Sequence, residues 1–179
     1  MGKAWQVVLA GAGGQGLVLG GVLLGEAASL HAGKNALQTQ SYGIASRGGF
    51  SCSEVVISDQ EIVYPGVLEP DVALVLTGEA LEMYKDAGGE DTILIVDEAV
   101  ENPGLVGMRF PLEKTARQLG SQAVQNLVGL GVILGLTGMI PPEAMSGAIK
   151  ERFQGRPGLE LNIKAFETGL ALAREGKKS

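Results

Sequence analysis

A glycine-rich turn near the amino terminus is the segment whose residue types and spacing most clearly suggest chemistry. Residues 9–16 read L-A-G-A-G-G-Q-G, so Gly11, Gly13 and Gly16 satisfy G-x-G-x-x-G. An apolar, β-branched run precedes this turn, and a stretch of helical character follows it. Glycines with this spacing let the chain turn tightly between strand and helix and let a phosphate approach the backbone. The N–H groups at the helix start also favour an anion there.

A purely structural turn is the alternative interpretation, and the sequence offers one test. A dinucleotide-binding unit needs an acidic residue about 20 residues further on, where the second strand ends, to bind the ribose hydroxyls. The predicted second strand, residues 35–40, leads into T-Q-S, and the only acid between the glycines and Glu54 is Glu26, within the first predicted helix. We therefore expect a structural turn with some anion-binding capacity rather than an NAD or FAD site.

A second glycine-containing segment, residues 38–49, reads Q-T-Q-S-Y-G-I-A-S-R-G-G. It combines a cation, Arg47, with the hydroxyl groups of Ser41 and Tyr42 in a polar and flexible setting. A guanidinium presents a planar fork of donors, so such a loop can reach a carboxylate, a phosphate or a neighbouring chain. Taken one residue at a time, an ordinary exposed loop explains it equally well. The order and spacing of the whole string favour a function.

In this order the motifs resemble a known family. The two glycine segments are followed by S-E-V-V-I-S (53–58), P-D-V (70–72), N-L-V-G-L-G (126–131), E-R-F (151–153) and L-N-I-K-A-F-E-T-G (161–169). This succession resembles the gamma subunit of 2-oxoacid:ferredoxin oxidoreductases over residues 5–172, in particular the 2-oxoglutarate type, within the pyruvate/ketoisovalerate oxidoreductase gamma-domain family. The family often has Pro-Glu after the Tyr-Gly, where this sequence has Ile44 and Ala45. A carboxylate usual in that loop is therefore missing.

The resemblance implies a subunit of a larger enzyme of anaerobic metabolism. In that class a 2-oxoacid loses CO₂, two electrons pass to ferredoxin and the acyl group goes to coenzyme A. The resemblance implies alpha, beta and ferredoxin-like delta partner subunits, which hold thiamine diphosphate, magnesium and iron–sulfur clusters. This chain is expected to be architectural, without catalytic residues or a cofactor bound by itself alone, and to lie beside the coenzyme A approach. Its expected binding residues are Gly13, Gly14, Gln15, Gly16, Ser41, Tyr42 and Arg47.

The sequence lacks the side chains that the redox chemistry needs. Cys52 is the only cysteine and His31 the only histidine, so no iron–sulfur cluster or other metal site is expected in this chain. There is no G-D-G motif of a thiamine diphosphate site, no nucleophile elbow and no P-loop. Asp97 and Glu98 follow a predicted strand, the usual place for active-site groups in an open α/β sheet. Without a paired base or metal, we expect them in a solvated loop.

Length and composition predict a single domain over residues 1–179, because 45% of the residues are hydrophobic and no low-complexity tract interrupts them. The net charge of −6 argues against nucleic acid and anionic membranes as partners. We expect no secretory signal and no membrane span, because residues 1–4 lack a basic region that leads into an apolar core and no apolar stretch reaches the roughly 20 residues that span a bilayer. With one cysteine, we expect a cytoplasmic protein.

Apolar runs that alternate with helical stretches predict an α/β fold, a single Rossmann-like domain whose mostly parallel sheet is flanked by helices and carries an inserted β-hairpin. Strands are predicted at residues 6–10, 35–40, 72–76, 92–96 and 105–110, and helices at 16–30, 78–85, 111–119, 122–136, 141–153 and 159–174. The hairpin is expected between residues 49–57 and 61–64. Glycines inside the helices at 16–30 and 122–136 predict that a sheet or another subunit packs closely against them.

Two alternatives remain open from the residues alone. One is a free-standing NAD-dependent oxidoreductase that uses the glycine turn, although the ribose-binding acid is missing. The other is a protein–protein adaptor of the same fold without any ligand, which an exposed apolar patch would favour.

Overall fold

A computed structural model describes residues 4–42 and 48–177 of the chain. It contains a six-stranded sheet with helices on both faces. The strands are β1 (Trp5–Ala12), β2 (Asn35–Tyr42), β3 (Phe50–Ser58), β4 (Val72–Val75), β5 (Ile93–Asp97) and β6 (Met108–Phe110). The helices are α1 (Leu17–Glu26), α2 (Gly78–Tyr84), α3 (Leu112–Leu119), α4 (Gln125–Thr137), α5 (Pro142–Phe153) and α6 (Leu159–Gly176). A π-helical turn (Ala27–His31) extends α1, and a 3₁₀ turn (Gln122–Val124) leads into α4.

The strand order is β2-β3-β1-β4-β5-β6. Strands β1, β4, β5 and β6 run parallel to one another, whereas β3 is antiparallel to both of its neighbours, β1 and β2. The prediction of an α/β fold with a mostly parallel sheet flanked by helices is confirmed.

The partner of β3 differs from the one that the sequence predicted. β3 pairs along its length with β2, from Asn35 opposite Ser58 to Tyr42 opposite Ser51, and residues 61–64 form no strand. The segment after β3 crosses the start of β1 instead, where Gln6 Oε1 accepts the Leu68 N–H at 2.7 Å. Because the eight residues of β2 offer β3 a complete hydrogen-bond ladder, the hairpin forms with the preceding strand.

Two apolar layers enclose the centre of the sheet. One contains α1, α3, α4, α5 and α6, and the other contains α2. Alternate residues of β1 point into each layer, so that Val7 and Leu9 belong to the first and Val8 and Ala10 to the second. This double burial explains why the strand reads as a continuous apolar run in the sequence.

Of the two predicted neighbours of the helix glycines, a sheet or another subunit, the sheet is the one that approaches Gly20 and Gly21 of α1. A Cβ atom at Gly20 of α1 would lie 3.2 Å from Leu9 Cδ1, and one at Gly21 would lie 2.5 Å from Gln38 Nε2. These neighbours belong to the sheet. In α4, Gly129 faces Leu74 of β4, whereas Gly131 and Gly135 face α6 of the same chain. Gly25 of α1 is the exception, because a Cβ there would meet no atom within 4 Å.

Among the helices of the two described ranges, none combines the length and the hydropathy needed to cross a lipid bilayer.

Candidate functional site

The glycine turn between β1 and α1 lies at a switch point of the sheet. β1 and β4 are adjacent and parallel, but from β1 the chain enters α1 on one face, and from β4 it enters α2 on the other. Helices that leave neighbouring parallel strands on opposite faces open a crevice at the carboxyl ends of those strands. In open α/β sheets this crevice is where ligands bind.

The Gln15 side chain holds the turn in shape. Its Oε1 accepts the Ala12 N–H at 2.7 Å, and the Gln15 N–H donates to the Ala12 carbonyl at 3.3 Å. Gly14 and Gly16 have φ values of 93° and 71°, a left-handed conformation that glycine adopts without steric cost. Gly16 is also the N-cap residue of α1, and no side chain caps this helix.

The four predicted amide donors of the turn are not equally available. The Gly13 N–H donates to the Gly49 carbonyl at 2.8 Å, and the Gln15 N–H is directed at Ala12. The Gly14 and Gly16 N–H groups have no acceptor within residues 4–42 and 48–177. The turn therefore offers two amide donors at the start of α1 rather than four.

Gly48 and Gly49, the end of the second glycine segment, lie against the glycine turn. A Cβ atom at Gly13 would lie 3.5 Å from Gly48 N and 3.8 Å from the Gly49 carbonyl oxygen. The start of β3 thus brings Gly48 and Gly49 onto the turn. Arg47, the cation predicted for this site, lies outside the described residues.

Ser41 and Tyr42 lie at the same edge of the sheet as the turn but not beside it. In the strand register, Ser41 is opposite Cys52, and Cys52 is opposite Ala10 of β1. Two strand spacings separate β2 from β1, about 10 Å. The structure therefore does not place Ser41 or the Tyr42 backbone at the glycine turn.

The insertion of β3 also bears on dinucleotide binding. In a Rossmann dinucleotide site, the acid at the end of the second strand lies close to the glycine turn because the first two strands are neighbours. Here β3 separates them. The end of β2 is therefore too far from the turn for a ribose ligand, in agreement with the missing acidic residue.

A cleft of about 380 Å³ lies beside the turn. Gly13, Gly14 and Gln15 line one side, and Gln122, Ala123 and Gln125 line the other. The second wall is the entry to α4. It is fastened to the turn by Asn126, a buried residue whose Nδ2 donates to the Gly16 carbonyl at 2.8 Å.

The prediction of a solvated loop was wrong for Asp97, although Glu98 is exposed. Asp97 is 1% exposed. Its Oδ2 accepts the Glu113 N–H at 2.9 Å and also the Gln125 Nε2–H, and its Oδ1 accepts the Ala99 N–H at 3.1 Å. The start of α3 and the side chain of Gln125 thus supply the donors that a buried carboxylate needs. Sequence reasoning overlooked Gln125; its signal is a polar Gln-Asn pair directly before the apolar residues of α4.

Cys52 and His31 each contact a side chain of another element of the fold. Cys52 is buried in β3, as predicted, and its Sγ lies 3.3 Å from the Tyr84 hydroxyl oxygen. Burial raises the pKa of the Cys52 thiol. His31 Nε2 lies 3.3 Å from Glu151 Oε2 on α5. In the part of the chain that the structure describes, no three His, Cys, Asp or Glu side chains cluster in a way that could hold a metal ion.

These features define a class of protein. It is an open α/β protein of Rossmann-like architecture with a cleft at the switch point of its sheet. Backbone N–H groups and glutamine side chains line this cleft. The described residues that line it include no nucleophile and no titratable side chain. Such a cleft suits the binding and positioning of a ligand.

Comparison with known proteins makes the assignment specific. The family model for pyruvate ferredoxin/flavodoxin oxidoreductase matches residues 6–172. The chain is 41% identical to the 2-oxoglutarate synthase subunit KorC of Methanothermobacter marburgensis, over 97% of this chain and 98% of that protein. The keto/oxoacid ferredoxin oxidoreductase gamma subunit of Geobacter sulfurreducens has a similar structure, with a TM-score of 0.85, 38% identity, and coverage of 97% of this chain and 98% of that one.

A third relative shows the same fold as part of a longer chain. The 2-oxoglutarate:ferredoxin oxidoreductase of Magnetococcus marinus, solved with 2-oxoglutarate, coenzyme A and succinyl-CoA bound, matches with a TM-score of 0.85 and 25% identity. The match covers 97% of this chain and 31% of that one. The chain belongs to the pyruvate ferredoxin/flavodoxin oxidoreductase family. The resemblance to the gamma subunits of 2-oxoacid:ferredoxin oxidoreductases, predicted from motif order, is confirmed.

Proposed function

We propose that this chain is the gamma subunit of a 2-oxoglutarate:ferredoxin oxidoreductase. The observation that supports this is the 41% identity with a 2-oxoglutarate synthase subunit, in an alignment that spans 97% of this chain and 98% of the relative. In this reaction 2-oxoglutarate loses CO₂, two electrons pass to ferredoxin, and the succinyl group is transferred to coenzyme A. The single six-stranded sheet supports the prediction that residues 1–179 form one domain.

Alpha, beta and ferredoxin-like delta subunits are the proposed partners in the cytoplasm. They are proposed to hold thiamine diphosphate, magnesium and the iron–sulfur clusters. One cubane cluster needs four thiolates, whereas this chain has one cysteine, Cys52, which is buried. The relative in which the same fold makes up 31% of a longer chain supports a role in contact with other parts of the enzyme.

The contribution proposed for this chain is to help bind coenzyme A at the switch-point cleft. The Gly14 and Gly16 N–H groups lie at the start of a helix, and such donors suit a phosphate. A Cβ atom at Gly14 would meet nothing within 4 Å, so this backbone faces open space that a ligand can fill. Arg47 directly precedes Gly48, which lies against Gly13. Its guanidinium is proposed to add the positive charge.

Ser41 and Tyr42 are also proposed to bind coenzyme A, at a position away from the glycine turn. They lie about 10 Å from the turn across the sheet edge, so one small ligand would not contact both places. Coenzyme A is an extended molecule, and a ligand of this shape is long enough to reach from the glycine turn to the end of β2. β3 lies between the two places in the sheet, and Gly48 and Gly49, directly before β3, lie against Gly13.

The adaptor alternative has one supporting observation. The loop after β3 carries exposed large hydrophobic side chains, among them Val63 at 92% and Leu68 at 72% exposure. Such a surface suits protein contacts. The subunit proposal requires protein contacts as well, so affinity for coenzyme A is what separates the two functions.

The proposed function is tested by affinity purification of the tagged chain from its source organism under anaerobic conditions, with mass spectrometry of the co-purifying proteins. We expect a thiamine-binding subunit and a ferredoxin-like subunit, and a preparation that reduces ferredoxin when given both 2-oxoglutarate and coenzyme A. Activity with pyruvate and none with 2-oxoglutarate would correct the substrate. A chain that purifies alone and binds NAD(H) in calorimetry would overturn the proposal.

A further inference from the structure

The cleft beside the glycine turn contains a fixed hydrogen-bond acceptor. Gln125 lines this cleft and is 2% exposed. Its Nε2 donates to Asp97 Oδ2. An ionised carboxylate only accepts hydrogen bonds, whereas a carboxamide donates through nitrogen and accepts through oxygen. The contact with Asp97 therefore fixes the orientation of the Gln125 carboxamide, with Nε2 directed at Asp97 and Oε1 directed away from it.

The oxygen of this carboxamide has no hydrogen-bond partner among the residues that the structure describes. No group within the described ranges donates to Gln125 Oε1. Yet every fully buried side-chain nitrogen and oxygen atom in those ranges has a hydrogen-bond partner. Oε1 is therefore not fully buried. Because the residue is otherwise enclosed and lines the cleft, the space that Oε1 faces is the cleft.

Asp97 is rigidly held, and this makes it suitable for orienting Gln125. It is 1% exposed, and its oxygens also accept the N–H groups of Glu113 and Ala99 at 2.9 and 3.1 Å. The Glu113 N–H belongs to the first turn of α3. A carboxylate fixed by backbone donors on two sides gives its third donor, Gln125, little freedom to turn.

We propose that Gln125 Oε1 accepts a hydrogen bond from the ligand of this cleft, and that Asp97 is the positioning residue that orients it. This inference rests on the proposed function and makes it more specific. The cleft then requires a ligand with an anionic group for the Gly14 and Gly16 N–H groups and an N–H or O–H donor for Gln125.

Coenzyme A meets both requirements and the 2-oxoacid does not. Coenzyme A carries phosphates, amide N–H groups in its pantetheine arm, and amino and hydroxyl groups in its adenosine part. At neutral pH 2-oxoglutarate has carboxylates and a carbonyl group, which only accept hydrogen bonds. A fixed acceptor beside two N–H donors therefore selects coenzyme A over the 2-oxoacid substrate.

The test is Gln125→Met in the assembled enzyme, because methionine keeps the length of the side chain and removes the Oε1 acceptor together with the Nε2 donor to Asp97. We expect KM for coenzyme A to rise about threefold to tenfold, the loss of one hydrogen bond. KM for 2-oxoglutarate is expected to stay constant. Gln38→Met is the matched control: Gln38 is a partly buried glutamine whose Nε2 donates to the Val18 carbonyl and to Ser53 Oγ, away from the cleft. It should leave KM for coenzyme A unchanged.

Asp97→Asn tests the positioning role separately. An asparagine has one acceptor oxygen and no longer fixes the Gln125 orientation, so KM for coenzyme A should rise while the enzyme still assembles. Competitive inhibition by two fragments of coenzyme A, pantetheine 4′-phosphate and adenosine 3′,5′-bisphosphate, shows which part of the molecule carries the group that donates to Gln125. Gln125→Met should raise the inhibition constant only of the fragment that carries this donor.

A KM for coenzyme A that is unchanged in both Gln125→Met and Asp97→Asn overturns this inference. If a change at Gly14 still raises that KM, the proposed function stands and only the role of Gln125 is lost. If no change in the cleft affects coenzyme A, the proposed binding role of the cleft fails as well.

Discussion

Gly131 of α4 and Gly169 of α6 lie in direct backbone contact where the two helices cross. A Cβ atom at Gly131 would lie 2.8 Å from Gly169 Cα, and a Cβ atom at Gly169 would lie 2.9 Å from Gly131 Cα. No side chain larger than a hydrogen atom fits at either position. This contact sets how deeply α4 lies between the sheet and α6. It therefore helps to place Gln125 and Asn126, at the start of α4, against the glycine turn.

Gly131→Ala is expected to lower the free energy of unfolding by about 1–3 kcal/mol, the usual cost of overpacking a core. The atoms that its methyl group would meet are backbone atoms of α6, which cannot rotate away. Thermal unfolding followed by circular dichroism should show a Tm several degrees lower. Gly25→Ala is the control, because a Cβ there meets no atom within 4 Å. An unchanged or slightly higher Tm is expected for it, and equal Tm values for the two variants would disprove the close contact.

Asn126→Ala should loosen the glycine turn. Asn126 is 2% exposed, and its Nδ2 donates to the Gly16 carbonyl at 2.8 Å. Truncation removes one of the two donors to this carbonyl, at a cost of about 0.5–1.5 kcal/mol, the net contribution of one hydrogen bond. Hydrogen exchange should speed up at the Gly20 N–H, which donates to the same carbonyl. Asn162→Ala is the control, because Asn162 makes the same type of bond locally, to the Gly158 carbonyl. Faster exchange at Gly20 in both variants would mean a general loss of stability.

The sequence predicted the features that depend on neighbouring residues. The apolar run of β1, the glycine turn and the helix boundaries follow from local patterns, and the family followed from the order of its motifs. The strand that pairs with β3 and the donors that bind Asp97 could not be predicted from local patterns. β3 has apolar and polar residues that suit several neighbours, so its position between β1 and β2 depends on contacts far along the chain. The donors to Asp97 Oδ2 come from residues 16 and 28 positions later, and no local pattern indicates them.

Alkaline pH is expected to destabilise the chain through Cys52 and Tyr84. Burial raises the pKa of both groups in the folded state, and their mutual hydrogen bond raises the pKa of Tyr84 further. Their stabilising contribution is therefore complete below the unfolded pKa values, about 8.5 for cysteine and 10 for tyrosine, and is lost as pH rises through the folded values. Urea unfolding at pH 7 and pH 10 measures this loss.

The double variant Cys52→Ala, Tyr84→Phe should show a smaller loss of stability between these two pH values than the wild type. Tyr64→Phe, at an exposed tyrosine, is the control and should behave like the wild type. A double variant that loses as much stability as the wild type between pH 7 and pH 10 would show that other groups cause the alkaline destabilisation.

Gly14→Ala tests the glycine turn as a ligand site, and Gly33→Ala separates binding from backbone strain. Both glycines are left-handed, with φ values of 93° and 65°, and a Cβ atom at either meets nothing within 4 Å. Both variants should therefore lose about 1–2 kcal/mol of stability, the cost of a left-handed non-glycine residue. Of the two positions, only residue 14 lines the cleft, where the Gly14 and Gly16 N–H groups have no acceptor among the described residues. In the assembled enzyme, KM for coenzyme A should rise at least about tenfold in Gly14→Ala, the loss of one charge-assisted hydrogen bond or more, and stay constant in Gly33→Ala. If both variants show the same KM for coenzyme A, the turn serves only to connect β1 to α1.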